Sequence, residues 1–419
     1  MVRPFRSRKF DFFPPQVKLR TVLGDINSAA VWTGVTAFVW YAFGAVPFHI
    51  AVAGRLGLTS AESSSWIFII WTSGAVASIG LSLFYRIPIP ITWSIPGLIC
   101  LGTLTGDSTF AETVGANLVA GVLILLLSIF GVGGRIMTWL PMPIVTWMFA
   151  GSIFGYVTRL VSVTVEDVLV AGPTVAGYLL GRLIGNPKIP PVGLAVVFGG
   201  VAVLVGGQAS PEAMSWSLPV PAVPKIEFSV PAVAAVSLPM VVLALGLGNV
   251  QGLGFLMGQG YKVPINKISI VVGGNSVINA LLGGHPATVA RTGVAIIAGP
   301  DAGLESQRYW GSLVAAVLTL IIALAAGLVI PILAVLPSSY VFALAGLAIF
   351  ASLQDAFEKA FGNTLRFGAV VTFAVASTPF SFVGITSALW AVLAGIGASL
   401  IAERSDLLSA WRESHAQTH

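Results

Sequence analysis

Charge is scarce in this chain. Only 9% of residues are Asp, Glu, Lys or Arg, 56% are hydrophobic, and the mean hydropathy is +0.93. A water-soluble protein of 419 residues cannot cover its surface with so few charges, so a soluble globular fold is excluded. Cysteine is scarcer still. Cys100 stands alone, which rules out an intrachain disulfide and a cysteine-based zinc site. It lies in an apolar run and reads as a small packing residue. No glycine-rich phosphate loop with a lysine is present, which argues against ATP-driven work. No His, Cys, Asp and Glu set has metal-ligand spacing and no Ser-His-Asp arrangement stands out, so neither a cofactor nor an enzymatic activity is expected. A cleavable leader is not expected either: Arg3, Arg6, Arg8 and Lys9 precede Phe- and Pro-rich sequence, not a short apolar core with a small-residue cleavage site.

What the chain has instead is apolar runs long enough to cross a bilayer, arranged twice over. Thr92-Trp93-Ser94-Ile95-Pro96-Gly97, leading to Gly106-Asp107, is echoed by Gly284-His285-Pro286-Ala287-Thr288, leading to Pro300-Asp301. Leu140-Pro141 recurs as Leu336-Pro337, Ala150-Gly151 as Ala345-Gly346, and Val192-Gly193 as Val383-Gly384. An offset of roughly 191–196 residues is the period of an internal duplication. The spacing predicts an all-α membrane protein of about fourteen segments. The first seven lie near 28–52, 66–84, 89–105, 113–131, 138–160, 168–184 and 190–206. The second seven lie near 231–257, 265–283, 285–299, 307–330, 337–352, 364–377 and 380–402. Seven is odd, so the copies are inverted relative to one another.

The charges support this count. With the N-terminus inside, 17 of the 21 basic residues fall on cytoplasmic ends and loops, Arg86, Arg182, Lys262 and Arg308 among them. Only Arg55, Arg159 and Lys225 fall outside, and Arg291 falls within a span. The same distribution accounts for the net charge of +5 without nucleic acid, because no basic tract is present. Trp66, Trp139 and Trp310 near span ends suggest an interfacial aromatic belt. The expected setting is a cytoplasmic (inner) membrane of bacterial type, multi-pass, with both termini cytoplasmic.

Segments three and ten carry the site expectation. Prolines in Ile87-Pro88-Ile89-Pro90-Ile91-Thr92 forbid a regular helix there, and a half-helix then starts at Ser94 with Pro96 in its first turn. In segment ten Pro286 is expected to open the second half-helix. Broken spans at equivalent repeat positions point to a mid-membrane cavity, where helix N-termini favour an anion. The alternative is a pair of proline kinks packed against neighbours. Arg291 is expected little more than one turn into its half-helix, sharing a face with Thr288, Thr292 and Ala295. A guanidinium within a span faces a cavity or a partner; it either reads an anionic substrate or is structural. Asn249 and Gln251 in segment eight either bind substrate or stitch helices. His285 is a proton-coupling candidate or a hydrogen-bonding residue, and His49 reads as structural or exposed. Trp40, Tyr41 and Phe43 line an aromatic pocket or pack.

Several stretches resemble the benzoate/proton symporter family. They are Gly57-Leu58-Thr59-Ser60-Ala61-Glu62-Ser63-Ser64-Ser65-Trp66-Ile67, Ile91-Thr92-Trp93-Ser94-Ile95-Pro96-Gly97, Pro141-Met142-Pro143-Ile144-Val145, Gly283-Gly284-His285, Gly299-Pro300-Asp301-Ala302 and Arg308-Tyr309-Trp310. The resemblance implies the inverted-repeat fold shared with uracil/xanthine permeases and with sulfate and bicarbonate carriers. It implies a substrate-carrying core at 28–131 and 231–330 and a gate at 138–206 and 337–402, the gate often forming a homodimer contact. The remainder is a cytoplasmic N-terminal arm (1–27), a proline-rich linker (207–230) and a cytoplasmic tail (403–419). Segment eight departs from the family's Ser-Gln-Asn-x-Pro-Gly run: here it is Leu247-Gly248-Asn249-Val250-Gln251-Gly252, which alters the substrate amides.

The expected function is proton-coupled secondary transport of a small organic anion, most simply an aromatic carboxylate such as benzoate, by an elevator or rocking motion of core against gate. Partners are the anion, protons and the lipid bilayer, with no nucleic acid. The candidate substrate residues are Tyr41, Trp93, Ser94, Asn249, Gln251, His285, Thr288 and Arg291. An inorganic-anion or dicarboxylate carrier of the same fold, or a channel-like or sensory membrane protein, are the alternatives.

Overall fold

Each of the fourteen expected segments corresponds to an element of the computed structural model, which describes residues 19–102, 104, 108–131, 141–186, 191–208, 218–299, 302–328, 335–360, 365–382 and 385–416. Residues 1–18, Gly106-Asp107, Trp139, Leu140, Pro211, Pro300-Asp301, Val383-Gly384 and the Phe43 side chain lie outside the described residues. In the first half, α1 (Leu19–Gly24) leads into α2 (Ser28–Arg55), α3 (Ser60–Tyr85), β1 (Ile91–Trp93), α4 (Ile95–Gly102), α5 (Phe110–Ile129), α6 (Met142–Glu166), α7 (Val168–Ile184) and α8 (Pro191–Val205). In the second half, α9 (Val230–Met257) is followed by α10 (Ile265–Leu281), β2 (Ala287–Val289) and α11 (Arg291–Ile297). Then come α12 (Tyr309–Ala323), α13 (Ser338–Ala360), α14 (Arg366–Ser377), the short strands β3 (Ser381–Phe382) and β4 (Ile385–Thr386), α15 (Ser387–Ala402) and α16 (Arg404–Ala416).

Local sequence explains where the long helices begin. The Asn27 side chain accepts from the Ala30 amide at 2.7 Å and starts α2. Thr59 with Glu62, and Thr109 with Glu112, form capping boxes that open α3 and α5. The 111° bend between α15 and α16 separates the last apolar helix from a charged tail helix. Helix α9 is wound more loosely, with π-helical turns over Val233–Ser237 and Leu243–Val250. Such turns recur at functional sites.

Two groups of helices result. In one, α5 packs on α10, and α12 packs on α2 and α3; in the other, α6 packs on α13 and α14, α7 on α8, and α14 on α15. The α5–α10 contact is close because a Cβ on Gly273 would come within 2.5 Å of the Leu125 Cα. Helix α2 touches α13, which joins the two groups.

The broken segments meet as a two-stranded antiparallel ladder, with Thr92 opposite Thr288 between the Ile91–Val289 and Trp93–Ala287 pairs. The ladder is matched on both sides. The Ser94 amide donates to the Pro286 carbonyl at 3.0 Å, and the Ala290 amide donates to the Pro90 carbonyl at 2.9 Å. The Ile91 amide reaches Ser78 Oγ at 2.7 Å, and the Ala287 amide reaches Ser276 Oγ at 3.0 Å. Extended backbone in the middle of a span thus has protein partners where water is absent.

Three expectations need correction. Pro286 does not open a helix: it precedes the strand, and its repeat counterpart is Pro90 rather than Pro96. The ladder holds the chain extended to Ala290, so α11 begins at Arg291, and Thr288 lies on a strand instead of a shared helical face. Trp66 is not interfacial. It is fully buried, and its indole N–H is satisfied there by donating to His285 Nδ1 at 3.2 Å.

Candidate functional site

A cavity of about 470 Å³ opens where the ladder, the first turns of α4 and α11, and helices α2, α6, α9 and α13 converge. Its walls are largely aromatic: Trp40, Tyr41 and Phe48 come from α2, Trp93 from β1, Phe149 from α6 and Phe255 from α9. Ile349 of α13 also lines it. Polar groups enter from one strand and one half-helix, as Thr288, Arg291 and Thr292, with Thr92 opposite.

The half-helices bring their N-termini to this cavity. At α4 the first turn is capped from within, with Ser94 Oγ accepting from the Gly97 amide at 3.1 Å, as the sequence indicates. At α11 the N-cap residue is Ala290, which has no side chain to do this. Arg291, the first residue of α11, is half-buried and donates from Nη1 to the Gln251 side-chain oxygen at 2.9 Å. Each half-helix ends on an arginine. Arg55 Nη1 donates to the Gly102 carbonyl at 2.8 Å, and Arg308 Nη1 donates to the Ala298 carbonyl at 2.8 Å. Cations at the C-terminal ends offset the negative ends of the two short dipoles.

Of the residues singled out from the sequence, Tyr41, Trp93, Thr288 and Arg291 line the cavity, together with Trp40, Thr292 and Ala295. Ser94, Asn249, Gln251 and His285 stand behind its wall. Asn249 Oδ1 accepts from Thr288 Oγ1 at 3.2 Å and from the Val289 amide at 2.9 Å, so it holds β2 in place. Gly248, next to it, permits this: a Cβ there would collide with Thr288 Oγ1. Gln251 aims the guanidinium. His285 is fully buried, as is His49, which sequence reasoning left as structural or exposed.

Phe48, Phe149, Phe255 and Ile349 are cavity residues that sequence reasoning missed. The repeated Ala150-Gly151 and Ala345-Gly346 pairs were the available signal. Both sit at tight helix crossings: a Cβ on Gly151 would lie 2.8 Å from the Phe373 carbonyl oxygen, and one on Gly346 would lie 2.9 Å from the Tyr156 carbonyl oxygen. Phe149 and Ile349 are close neighbours of those crossings.

Paired broken spans around a mid-membrane cavity define an inverted-repeat membrane transporter. The comparisons agree. The profile of the family described as "BenE: Benzoate membrane transport protein" matches residues 24–401, and the chain belongs to that family. It is 26% identical to the inner membrane protein YdcO of Escherichia coli (strain K12) over 407 residues, covering 95% of this chain and 99% of that one. It is also 26% identical to a benzoate membrane transport protein of Acinetobacter baylyi (strain ATCC 33305 / BD413 / ADP1) over 386 residues, covering 91% and 97%. Solved structures share the fold. The transmembrane domain of the cyanobacterial bicarbonate transporter BicA superposes with a TM-score of 0.56 at 15% identity, covering 88% of this chain and 97% of that one. SLC26A9 gives 0.60 at 13% identity, covering 92% and 66%.

Proposed function

We propose that this protein is a secondary transporter of a small aromatic monocarboxylate, with benzoate as the simplest fit, and that proton uptake accompanies the anion. The observation that carries the reading is the pairing of one guanidinium, Arg291, with a ring of aromatic walls in a cavity of about 470 Å³. A carboxylate accepts from the guanidinium and from the uncapped first turn of α11. A phenyl ring stacks among Tyr41, Phe48, Trp93 and Phe149. An inorganic anion leaves those walls unused.

In this reading α2 to α5 and α9 to α12 form the moving core, and α6 to α8 and α13 to α15 form the gate. Tyr41, Trp93, Thr288 and Arg291 contact the substrate; Ser94, Asn249 and Gln251 position them. Phe149 and Ile349 belong to the gate side of the cavity, so an elevator or rocking motion of the core separates the aromatic walls and opens the site. The termini face the cytoplasm, and the gate supplies the contact of a homodimer.

The test is uptake of labelled benzoate into proteoliposomes with and without an imposed pH gradient, alongside chloride, sulfate, bicarbonate and a dicarboxylate. Benzoate accumulation that follows the proton gradient is the expected result. Accumulation of the inorganic anions alone would replace the substrate, and equilibration without accumulation would replace a carrier by a channel.

A further inference from the structure

The cavity is backed by a buried aromatic cluster that holds both histidines of the membrane region. His49 of α2 packs against Trp66 (ring centroids 5.5 Å), Trp71 (6.2 Å), Trp93 (5.2 Å) and His285 (6.2 Å). Trp71 and Trp93 stack at 4.4 Å. Both imidazoles are fully buried, and each has one nitrogen without a hydrogen-bond partner, Nε2 in both cases.

The bonds made by the other two nitrogens fix the tautomers. His49 Nδ1 lies 2.8 Å from the Ala45 carbonyl oxygen, which can only accept, so Nδ1 carries the proton and Nε2 carries a lone pair. His285 Nδ1 lies 3.2 Å from the Trp66 indole nitrogen, which can only donate, so Nδ1 carries the lone pair and Nε2 carries the proton. To become cationic, His285 must lose its bond from Trp66. His49 can accept a proton at Nε2 and keep its bond to Ala45.

We propose that His49, and not His285, takes up the proton that accompanies the substrate, and that His285 is held as a neutral donor by Trp66. The proposal rests on the proton-coupled reading above. The proton adds to the His49 Nε2 lone pair, and the imidazolium retains its Nδ1–H bond to Ala45. Among the described residues no carboxylate is buried, so no protein anion in the cluster balances that charge. Helix α3 presents Trp66 and Trp71, β1 presents Trp93, and the lead-in to β2 presents His285. The other titratable groups of the same buried cluster are Tyr41, Cys100, Tyr156 and Tyr261, with Arg55 stacked 5.0 Å over Tyr156. The negative charge that enters with the proton is the bound carboxylate, which Arg291 meets inside the cavity and His49 meets from behind the Trp93 wall. Trp93 and Phe48 line the cavity, and His49 follows Phe48 in sequence and packs on Trp93, one side chain behind the wall. Proton and anion each raise the affinity for the other by the same factor, which is the linkage a symporter needs.

The experiment is benzoate titration by calorimetry on the full chain in detergent, in two buffers of different ionisation enthalpy, for wild type, His49→Gln and His285→Gln. Wild type should take up about one proton per benzoate, with affinity changing by up to about tenfold per pH unit. His49→Gln should take up none and lose the pH dependence. His285→Gln should keep the proton count, whatever its affinity. Uptake that persists in His49→Gln, or that vanishes only in His285→Gln, overturns the proposal. A wild type that binds benzoate without a proton overturns the coupling reading and this assignment together.

Nitrogen-15 spectra of the histidine rings keep the test decisive if a variant fails to fold or benzoate fails to bind. The chain has four histidines, and the other two, His415 and His419, lie in the tail. A protonated Nδ1 on His49 and a protonated Nε2 on His285 are expected in the free protein. The opposite tautomer on either ring, or an imidazolium on His285 at about pH 5 to 8, overturns the assignment.

Discussion

The Arg291 guanidinium donates to the Gln251 side-chain oxygen across 2.9 Å, so an amide on α9 aims the charge that α11 brings to the cavity. Truncating one partner of a buried charge pair costs about 2–5 kcal/mol, and Arg291→Ala should weaken benzoate binding by that amount. Arg291→Lys should recover only part, because an ammonium cannot reproduce the planar fork. Gln251→Ala should weaken binding less than Arg291→Ala. Calorimetric titration with an independent check of folding measures all three. Wild-type affinity in Arg291→Ala would make the arginine structural.

Asn249 should act on stability first. Its side-chain oxygen accepts from the buried Val289 amide and shares the Thr288 hydroxyl with the Ala244 carbonyl, so the amide is the donor that loses its partner. Leaving a buried donor unpaired costs about 1–3 kcal/mol. Asn249→Ala should therefore lower the melting temperature and weaken benzoate binding as β2 loosens. An unchanged melting temperature with lost affinity would instead make Asn249 a direct ligand.

Gly293 is required by Tyr41. A Cβ at Gly293 would collide with the Tyr41 hydroxyl, so Gly293→Ala should displace the ring and reduce benzoate affinity by about tenfold, the equivalent of about 1.4 kcal/mol. Tyr41→Phe in the same chain removes the colliding oxygen and should restore part of the loss. A double variant no better than Gly293→Ala would locate the damage in the α11 backbone instead.

Arg308 bonds the Ala298 carbonyl from Nη1 and the Gly303 carbonyl from Nε, both at 2.8 Å. Arg308→Ala should destabilise the protein by about 1–3 kcal/mol through two uncapped carbonyls, read as a lower melting temperature with benzoate affinity nearly preserved. Affinity lost without destabilisation would place Arg308 on the substrate path.

Much of this architecture was legible in the sequence because prolines and repeats are one-dimensional signals. Pro88 and Pro90 announce extended chain, and inverted copies follow from an odd segment count; the Thr59-Glu62 capping box, which starts α3 at Ser60 and not near 66, went unread. The register of the second break was not legible. Nothing local to Pro286 says that Pro90 offers its carbonyl to Ala290; that is a pairing across the fold. Asn249 and Gln251 were visible as polar residues in an apolar span, but their direction was not, since a π-helical turn rotates the face they occupy. His49 was the hardest to read. A lone histidine in an apolar helix looks the same whether it meets lipid, water or three tryptophans, and only folding brings Trp66, Trp71 and Trp93 around it.

Thr92 and Thr288 face each other on an approximate two-fold axis, but three positions further on the chain has Ile95 in one copy and Arg291 in the other. A cargo lying on that axis meets unlike surroundings at its two ends, oily at one and cationic at the other. A molecule with a ring and a single charge has one favoured pose there. A symmetric dianion, which wants a cation at each end, finds this one.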